Sequence, residues 1–414
     1  MNASLPISSR VAQTSLATPV ARGWFFLAML GALMAFTSLS TDIYLPAMPQ
    51  MQRDLQGSVE LTITGFLVGF ALAQLVWGPV SDRIGRRRPL IVGVALFVVG
   101  SIGCALSQSI GQIVFWRMFQ AFGACTGPML ARAMVPDRYE RTRAAETLST
   151  LTVIMAIAPI VGPLLGGQII RITTWHAIFW LLAGIGTLML LTLRWLPETH
   201  MSARRATTPL SSAFADYAAL LRHAPFMRYT LCVTFLYVGV YAFITGSPGV
   251  YIEHFHVDAQ HYGWLFAVNI VGVMALSLVN RRLVTRFSLD TLLRAATVVA
   301  ASAMLAAVLL MTWRIGGLWG LVVPVFVFFS TNGVIAACAT AAALDGVSDH
   351  AGSAAALMGS LQYGSGIVSS LLLAWLSDGT PRALVGVMAV FALGAAAMAL
   401  WPAKSGSQLK EATA

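Results

Sequence analysis

Asp42 interrupts an apolar run, Trp24 to Met48, that is otherwise uncharged. A carboxylate inside a membrane helix is costly, so it usually faces a cavity and exchanges a proton or binds a charged group. Reversible protonation coupled to the passage of another solute is the chemistry this residue suggests. A helix-end or structural hydrogen-bonding role is the plainer alternative. Arg117 is a second ionisable group in an apolar stretch. It sits toward one end of its run, so it either snorkels to the surface or pairs within a cavity. Asp42 falls at a similar depth, which lets the two communicate. A nearby guanidinium favours an ionised carboxylate, and desolvation favours the protonated form.

The elements that must hold these groups are membrane helices. The chain is 57% hydrophobic and only 10% charged, too little charge for the surface of a soluble protein of 414 residues. About 20 residues at 1.5 Å each cross a bilayer. Apolar runs of that length recur near 24–46, 59–80, 89–109, 112–134, 144–168, 174–194, 226–248, 259–280, 290–312, 315–341, 351–376 and 382–402. The split between the ninth and tenth rests on Trp313, Arg314, Gly316 and Gly317 alone. The first run is too long for a signal-peptide core and no small-residue cleavage site closes it, so it is expected to remain.

The net charge of +10 follows topology rather than a nucleic-acid surface. With the N-terminus in the cytoplasm, 21 of the 26 Lys and Arg residues fall in inner segments and 4 in outer ones. That asymmetry is the positive-inside rule and predicts both termini cytoplasmic. Cys104, Cys125, Cys232 and Cys338 form no CxxC pair and read as small packing residues, so no metal site is expected.

The longest polar connection, Trp195–Phe226, divides the spans six and six. The expected layout is a cytoplasmic tail 1–23, a six-helix bundle 24–195, a cytoplasmic linker 196–225, a second bundle 226–402 and a cytoplasmic tail 403–414. Basic loops at equivalent places, SDRIGRRRP after the second span and NRRLVTRFS after the eighth, suggest an internal repeat about the membrane normal.

Three motifs are sharp. GPVSDRIGRRRP, Gly78 to Pro89, places Gly85 at a tight turn between helices and Pro89 in the first turn of the next. Gly78, Asp82, Arg83, Gly85, Arg86 and Arg87 suggest a conformational latch; an ordinary basic loop is the alternative. APIVGPLLGG holds Pro159, Gly162, Pro163, Gly166 and Gly167. Prolines bend a helix and glycines let it approach a neighbour, so this string suggests a kinked, tightly packed contact that prevents leakage between halves. The third motif is RMFQAFGA, Arg117 to Ala124.

Gly78–Arg87 resembles the loop motif of the major facilitator superfamily, and Ala158–Gly167 resembles the fifth-helix motif of its proton-coupled antiporters. Arg117–Ala124 is similar to the fourth-helix motif that carries an intramembrane arginine. Asp42–Pro49 (DIYLPAMP), Trp175–Trp180 (WHAIFW), Val250–Glu253 (VYIE) and Tyr262-Gly263 resemble the Bcr/CflA drug-resistance branch, whose bicyclomycin-type members expel sulfonamides, phenicols and other small drugs. The resemblance covers residues 24–402. It implies an all-α membrane protein of twelve transmembrane helices in the major facilitator fold, with two six-helix halves related by a pseudo-two-fold axis along the membrane normal. It also implies a drug:proton antiporter of the bacterial inner membrane, working as a monomer among lipids without a cofactor. Two departures stand out. Where the family commonly has Arg-Asp-x-Tyr, this chain has Pro136 to Tyr139 (PDRY), so Arg132 one turn back is the expected substitute in the latch. Met34 stands where some relatives carry a further acid, leaving Asp42 alone.

Tyr44, Gln120, Tyr237, Tyr241, Asn269, Asn332 and Gln362, with Gln74, are the polar candidates for a substrate cavity; each serves equally well as a helix–helix hydrogen bonder. Tyr44 points away from Asp42, two residues along the helix. His254, His256 and His261 are spaced too loosely for a metal site. No Walker A, HExxH or GxSxG motif occurs, which argues against an ATP-driven pump and against these enzyme classes. The expected function is export of a small amphipathic drug in exchange for protons by alternating access. A proton-coupled transporter of a small endogenous metabolite is the alternative.

Overall fold

The computed structural model describes residues 20–200, 210–345, 347, 351–376 and 379–401. Of the expected N-terminal tail, only residues 20–23 are among these, in the first turn of a helix. The expected tail 403–414 and residues 201–209 of the linker lie outside the described residues.

The first half comprises α1 (Val20–Asp42), α2 (Met48–Leu55), α3 (Glu60–Ile84), α4 (Arg87–Ala105), α5 (Ile110–Ala124), α6 (Thr126–Arg138), α7 (Arg141–Ile172) and α8 (Trp175–Thr192). A short α9 (Leu210–Arg222) leads to the second half, α10 (Ala224–Pro248), α11 (Ala259–Leu283), α12 (Leu289–Thr312), α13 (Gly317–Asp345), α14 (Ala351–Leu376) and α15 (Pro381–Leu400). Among the described residues, eleven stretches of helix are long and apolar enough to cross a bilayer. The remaining crossing is α5 continued by α6, which gives twelve in two sets of six. Every backbone polar group in hydrocarbon needs an internal partner, and an unbroken helix supplies it.

The helix breaks follow proline chemistry. Pro46 cannot donate to the Asp42 carbonyl four residues back, and α1 stops at Asp42. The chain then makes a 3₁₀ turn, Leu45–Ala47, before α2. Pro128 stands in the same relation to Ala124, where α5 gives way to α6. Gly85 ends α3 with φ 95°, a conformation that favours glycine. Ser109, Ser288 and Thr380 cap the starts of α5, α12 and α15 through their side-chain oxygens.

Lipid tails are as apolar as leucine, so close packing rather than water exclusion holds the helices together. Large apolar side chains on the outside, among them Leu72, Val99, Val271, Leu309 and Val323, meet hydrocarbon. Exposed tryptophans gather at helix ends, as at Trp24, Trp195, Trp313, Trp319 and Trp401.

The halves meet along α3 with α14 and along α7 with α11. A Cβ on Gly263 of α11 would lie 2.8 Å from the Leu164 nitrogen, and one on Gly167 of α7 would lie 2.8 Å from the Ala259 carbonyl oxygen. These contacts shut the halves together at the end opposite the termini. Along α3, Thr64 donates to Ser370 (2.8 Å) and Ser360 donates to the Ala71 carbonyl (3.0 Å).

At the end that bears the termini, α9 touches both halves. Tyr217 donates to the Leu75 carbonyl (3.3 Å), while Asp216 accepts from Ser353 (3.3 Å). Burial, with the carboxylates of Asp216 and Asp82, pushes the Tyr217 phenol above its ordinary range.

A side chain at Gly166 would collide with the Ile43 carbonyl, whereas one at Gly184 meets nothing within 4 Å. Gly166→Ala is therefore expected to destabilise the protein by about 1–3 kcal/mol. Gly184→Ala should be neutral, or stabilising by up to about 1 kcal/mol. Thermal unfolding of the purified variants checks the contrast.

Candidate functional site at the break in α1

Asp42 is the last residue of α1 and is 5% exposed. Its carboxylate forms no hydrogen bond or ion pair among the described residues, which is unusual for a buried acid. What holds it in place is α7. A Cβ on Gly162 would stand 3.4 Å from the Asp42 Cβ and 3.3 Å from the Ile43 nitrogen, and Gly166 sits against the Ile43 carbonyl one turn further on. The Gly-Pro string thus cradles the broken end of α1, with Pro159 and Pro163 inside the same helix. Gly167, on the next residue, faces the other half.

Arg117 is fully buried on α5, so it does not snorkel. Nor does it form an ion pair with Asp42 among the described residues. Its Nη1 donates to the Ser40 carbonyl (2.9 Å) and to Gln120 Oε1 (2.6 Å). Gln120 Nε2 in turn donates to Ser101 (2.7 Å). The guanidinium carbon lies 4.4 Å from the ring centroids of both Tyr44 and Phe66, a cation–π clamp. Its Nε and Nη2 have no hydrogen-bond partner among the described residues. The expected pair is thus joined through the Ser40 peptide, two residues before Asp42, and the two charges remain near enough to interact.

The candidate cavity residues divide by element. Tyr44, fully buried, shares a hydrogen bond with Thr62 (3.1 Å) and packs on Phe179 (5.8 Å between centroids). Tyr44 and Gln120 therefore belong to the interior of the first half, because the turn after α1 and helix α5 bring them to Arg117. Asn269 on α11 donates to the Leu265 carbonyl (3.3 Å), and its Oδ1 has no partner.

Tyr237, Tyr241, Asn332 and Gln362 do come together. Tyr237 lies beside Asn332 and Gln362, and its ring is 6.1 Å from that of Tyr241. The Oδ1 of Asn332 is buried without a partner. Tyr363 joins them, 6.1 Å from Tyr241 and only 4.0 Å from Phe70 of the first half. Gln74 reaches the same interface, against Gly359. Tyr241, Tyr262 and Tyr363 are close enough to Asp42 to sense its charge. Sequence reasoning missed Tyr363 and Phe70; an aromatic beside Gln362 was the available signal.

The basic loop is organised at the end that bears the termini. Arg86 pairs with Asp82 and donates to Ser81 (2.7 Å) and Asp137 (3.3 Å). Glu198 accepts from the backbone nitrogens of Arg86 (2.9 Å) and Arg87 (3.1 Å). Arg87 Nη2 donates to the Arg194 carbonyl (2.9 Å). Arg83 folds back on the Pro79 carbonyl (2.6 Å). Gly78 packs beneath Met129.

Arg132 is exposed, and among the described residues its hydrogen-bond contact is the Met155 sulfur, at 4.0 Å, while Arg86 turns to Asp137, so the expected substitution by Arg132 gives way to Asp137. The reason is helical phase: Arg132 points away from the loop, and Asp137 points into it. Thr199 and His200 add further contacts to Asp137 at 3.3 and 3.8 Å. The PETH segment, Pro197 to His200, was the overlooked signal.

A twelve-crossing, two-half fold with this loop and this α7 string defines a membrane transporter. The chain matches the model of the Major Facilitator Superfamily over residues 28–370, and it belongs to that family. It is 36% identical over 351 residues to the uncharacterized MFS-type transporter YdgK of Bacillus subtilis, covering 83% of this chain and 87% of that one. It is 29% identical to the bicyclomycin resistance protein homolog of Haemophilus influenzae, covering 88% and 92%. Identity is also 29% to multidrug resistance protein D of Escherichia coli, covering 83% and 87%. Among solved structures it superimposes on the nucleoside transporter NupG with TM-score 0.73 at 12% identity, covering 90% of this chain and 99% of that one. The xylose transporter XylE of E. coli gives TM-score 0.69 at 14% identity, covering 92% and 97%. The last two likenesses concern the fold alone.

Asp137→Asn should lower stability by about 1–3 kcal/mol, since it leaves the Arg86 guanidinium short of a charged acceptor. Arg132→Ala is expected to stay within about 0.5 kcal/mol of wild type. Thermal unfolding in one detergent compares them.

Proposed function

We propose that this chain exports small amphipathic drugs in exchange for protons, with Asp42 as the proton-carrying group. The observation that carries the proposal is the isolation of Asp42: a buried carboxylate without a partner among the described residues, at a helix break covered by α7. Opening or closing that place to water changes how well the ionised form is solvated. Proton occupancy and conformation are therefore linked. Arg117 holds the α1 end in position through Ser40 and adds a fixed positive charge nearby.

The phenol and amide cluster of Tyr237, Tyr241, Asn332, Gln362 and Tyr363 offers aromatic faces with a few hydrogen-bonding groups. That suits phenicol, sulfonamide or bicyclomycin-like molecules, and relatives named for bicyclomycin and multidrug resistance support the same class. The bundles 24–195 and 226–402 would rock about this cluster, with the Asp82–Arg86–Asp137 loop biasing one arrangement. The Lys and Arg distribution supports cytoplasmic termini in a bacterial inner membrane, and two complete halves in one chain support action as a monomer.

Energised inverted vesicles test the proposal. Adding a transported phenicol to wild type should collapse part of the pH gradient. Asp42→Asn keeps the size but cannot ionise, so proton-driven export should fall at least about a hundredfold while the protein still reaches the membrane. Export by this variant at the normal rate against a gradient would remove Asp42 from the coupling role.

A further inference from the structure

A separate cavity of about 590 Å³ opens at the end opposite the termini, between the two halves. Its walls come from the α2–α3 region, the end of α10, the end of α14, Gly379, Thr380 and the start of α15. Two carboxylates line it, Glu60 in the first turn of α3 and Glu253 in the π-helical turn Gly249–His254 that continues α10. They belong to different halves and stand near enough for their charges to interact. Among the described residues, no lysine, arginine or histidine lines the cavity.

A second observation is independent of the acids. Thr245 lines the same cavity, is 2% exposed, and its hydroxyl oxygen has no hydrogen-bond partner. A helical threonine usually bonds to the carbonyl one turn back, as Thr234 does to Thr230 at 2.8 Å. Buried polar atoms left alone call for an occupant. Leu373 and Leu384 supply apolar wall, and Gln56, held at φ 48°, supplies an amide. π-helical turns are rare and often accompany functional sites.

We propose that this cavity binds an amphipathic organic ammonium that carries N–H groups, its charge between Glu60 and Glu253, its N–H donated to Thr245, and its apolar part against the leucines. The volume suits a small organic molecule, and among the described lining residues two carboxylates with no imidazole make a poor cage for a metal ion. The two acids come from opposite halves, so a bound cation ties the halves together at this end and holds the closed arrangement. The site lies apart from Asp42 and does not depend on drug export.

The test uses saturation-transfer NMR titrations of the purified full-length protein with benzylammonium chloride, against benzyl alcohol as a neutral comparator. Benzylammonium should bind and benzyl alcohol should not. Glu60→Gln and Glu253→Gln should each weaken binding roughly three- to tenfold, as expected for charge pairs reached by water. Thr245→Val should weaken it by a similar factor and Thr245→Ser should restore it; a merely structural threonine would not show that rescue. Asp42→Asn should bind as wild type does, even where export is lost. Matching thermal midpoints would show that each variant is folded. Equal binding of benzyl alcohol, full binding by the two glutamine variants, or loss in Asp42→Asn alone would overturn the proposal. So would displacement of all benzylammonium by millimolar calcium chloride, which would assign the carboxylates to a metal.

Discussion

The close approach of α7 to the broken end of α1 is the contact on which the rest depends. Glycines at 162 and 166 let one backbone ride on another, against Asp42 and Ile43. In hydrocarbon, a helix that stops leaves carbonyls and amides without partners unless protein covers them. The α7 string supplies that cover. It also sets Asp42 at the boundary between halves rather than in lipid, and its next residue, Gly167, carries the contact across to α11.

Arg117 has a different place from the one its charge first suggests. A direct ion pair with Asp42 would neutralise both groups and lock α1 to α5. Instead the guanidinium lies between two aromatic rings and is bonded to a peptide carbonyl and an amide. It holds the α1 end by the Ser40 carbonyl, while the Asp42 carboxylate has no partner among the described residues. Arg117 thus meets the α1 end at the Ser40 carbonyl, two residues before Asp42.

The two ends of the molecule are built by different physics. Opposite the termini, small residues bring helices of the two halves into contact, and two acids from different halves share one cavity. At the terminal end, charge does the work: Asp82, Arg86, Asp137 and Glu198 form a network within the first half. There α9 bridges to the second half, through Tyr217 and Asp216. Contacts of the first kind weaken little with salt, whereas those of the second kind are partly exposed and screened.

Much of this was written in the chain. The spans expected at 226–248, 259–280 and 351–376 match α10, α11 and α14 to within three residues at every end, because apolar length and flanking charge decide where a helix crosses. The stops at Asp42 and Ala124 follow from Pro46 and Pro128, a local covalent effect. The sequence also singled out Asp42, Arg117, the glycines of α7, and four residues of the aromatic cluster. Direction around each helix was not legible. Membrane helices are apolar on every face, so periodicity says little about where Tyr44, Gln120 or Arg132 points. Nor can sequence announce a backbone carbonyl as a partner, since every residue has one; Ser40 is the partner of Arg117 only because α1 and α5 pack as they do. Tertiary structure alone brought Glu198 to Arg86, Tyr363 to Phe70 and Glu253 to Glu60, each pair joined across more than a hundred residues by helices whose packing, not whose sequence spacing, sets the distance.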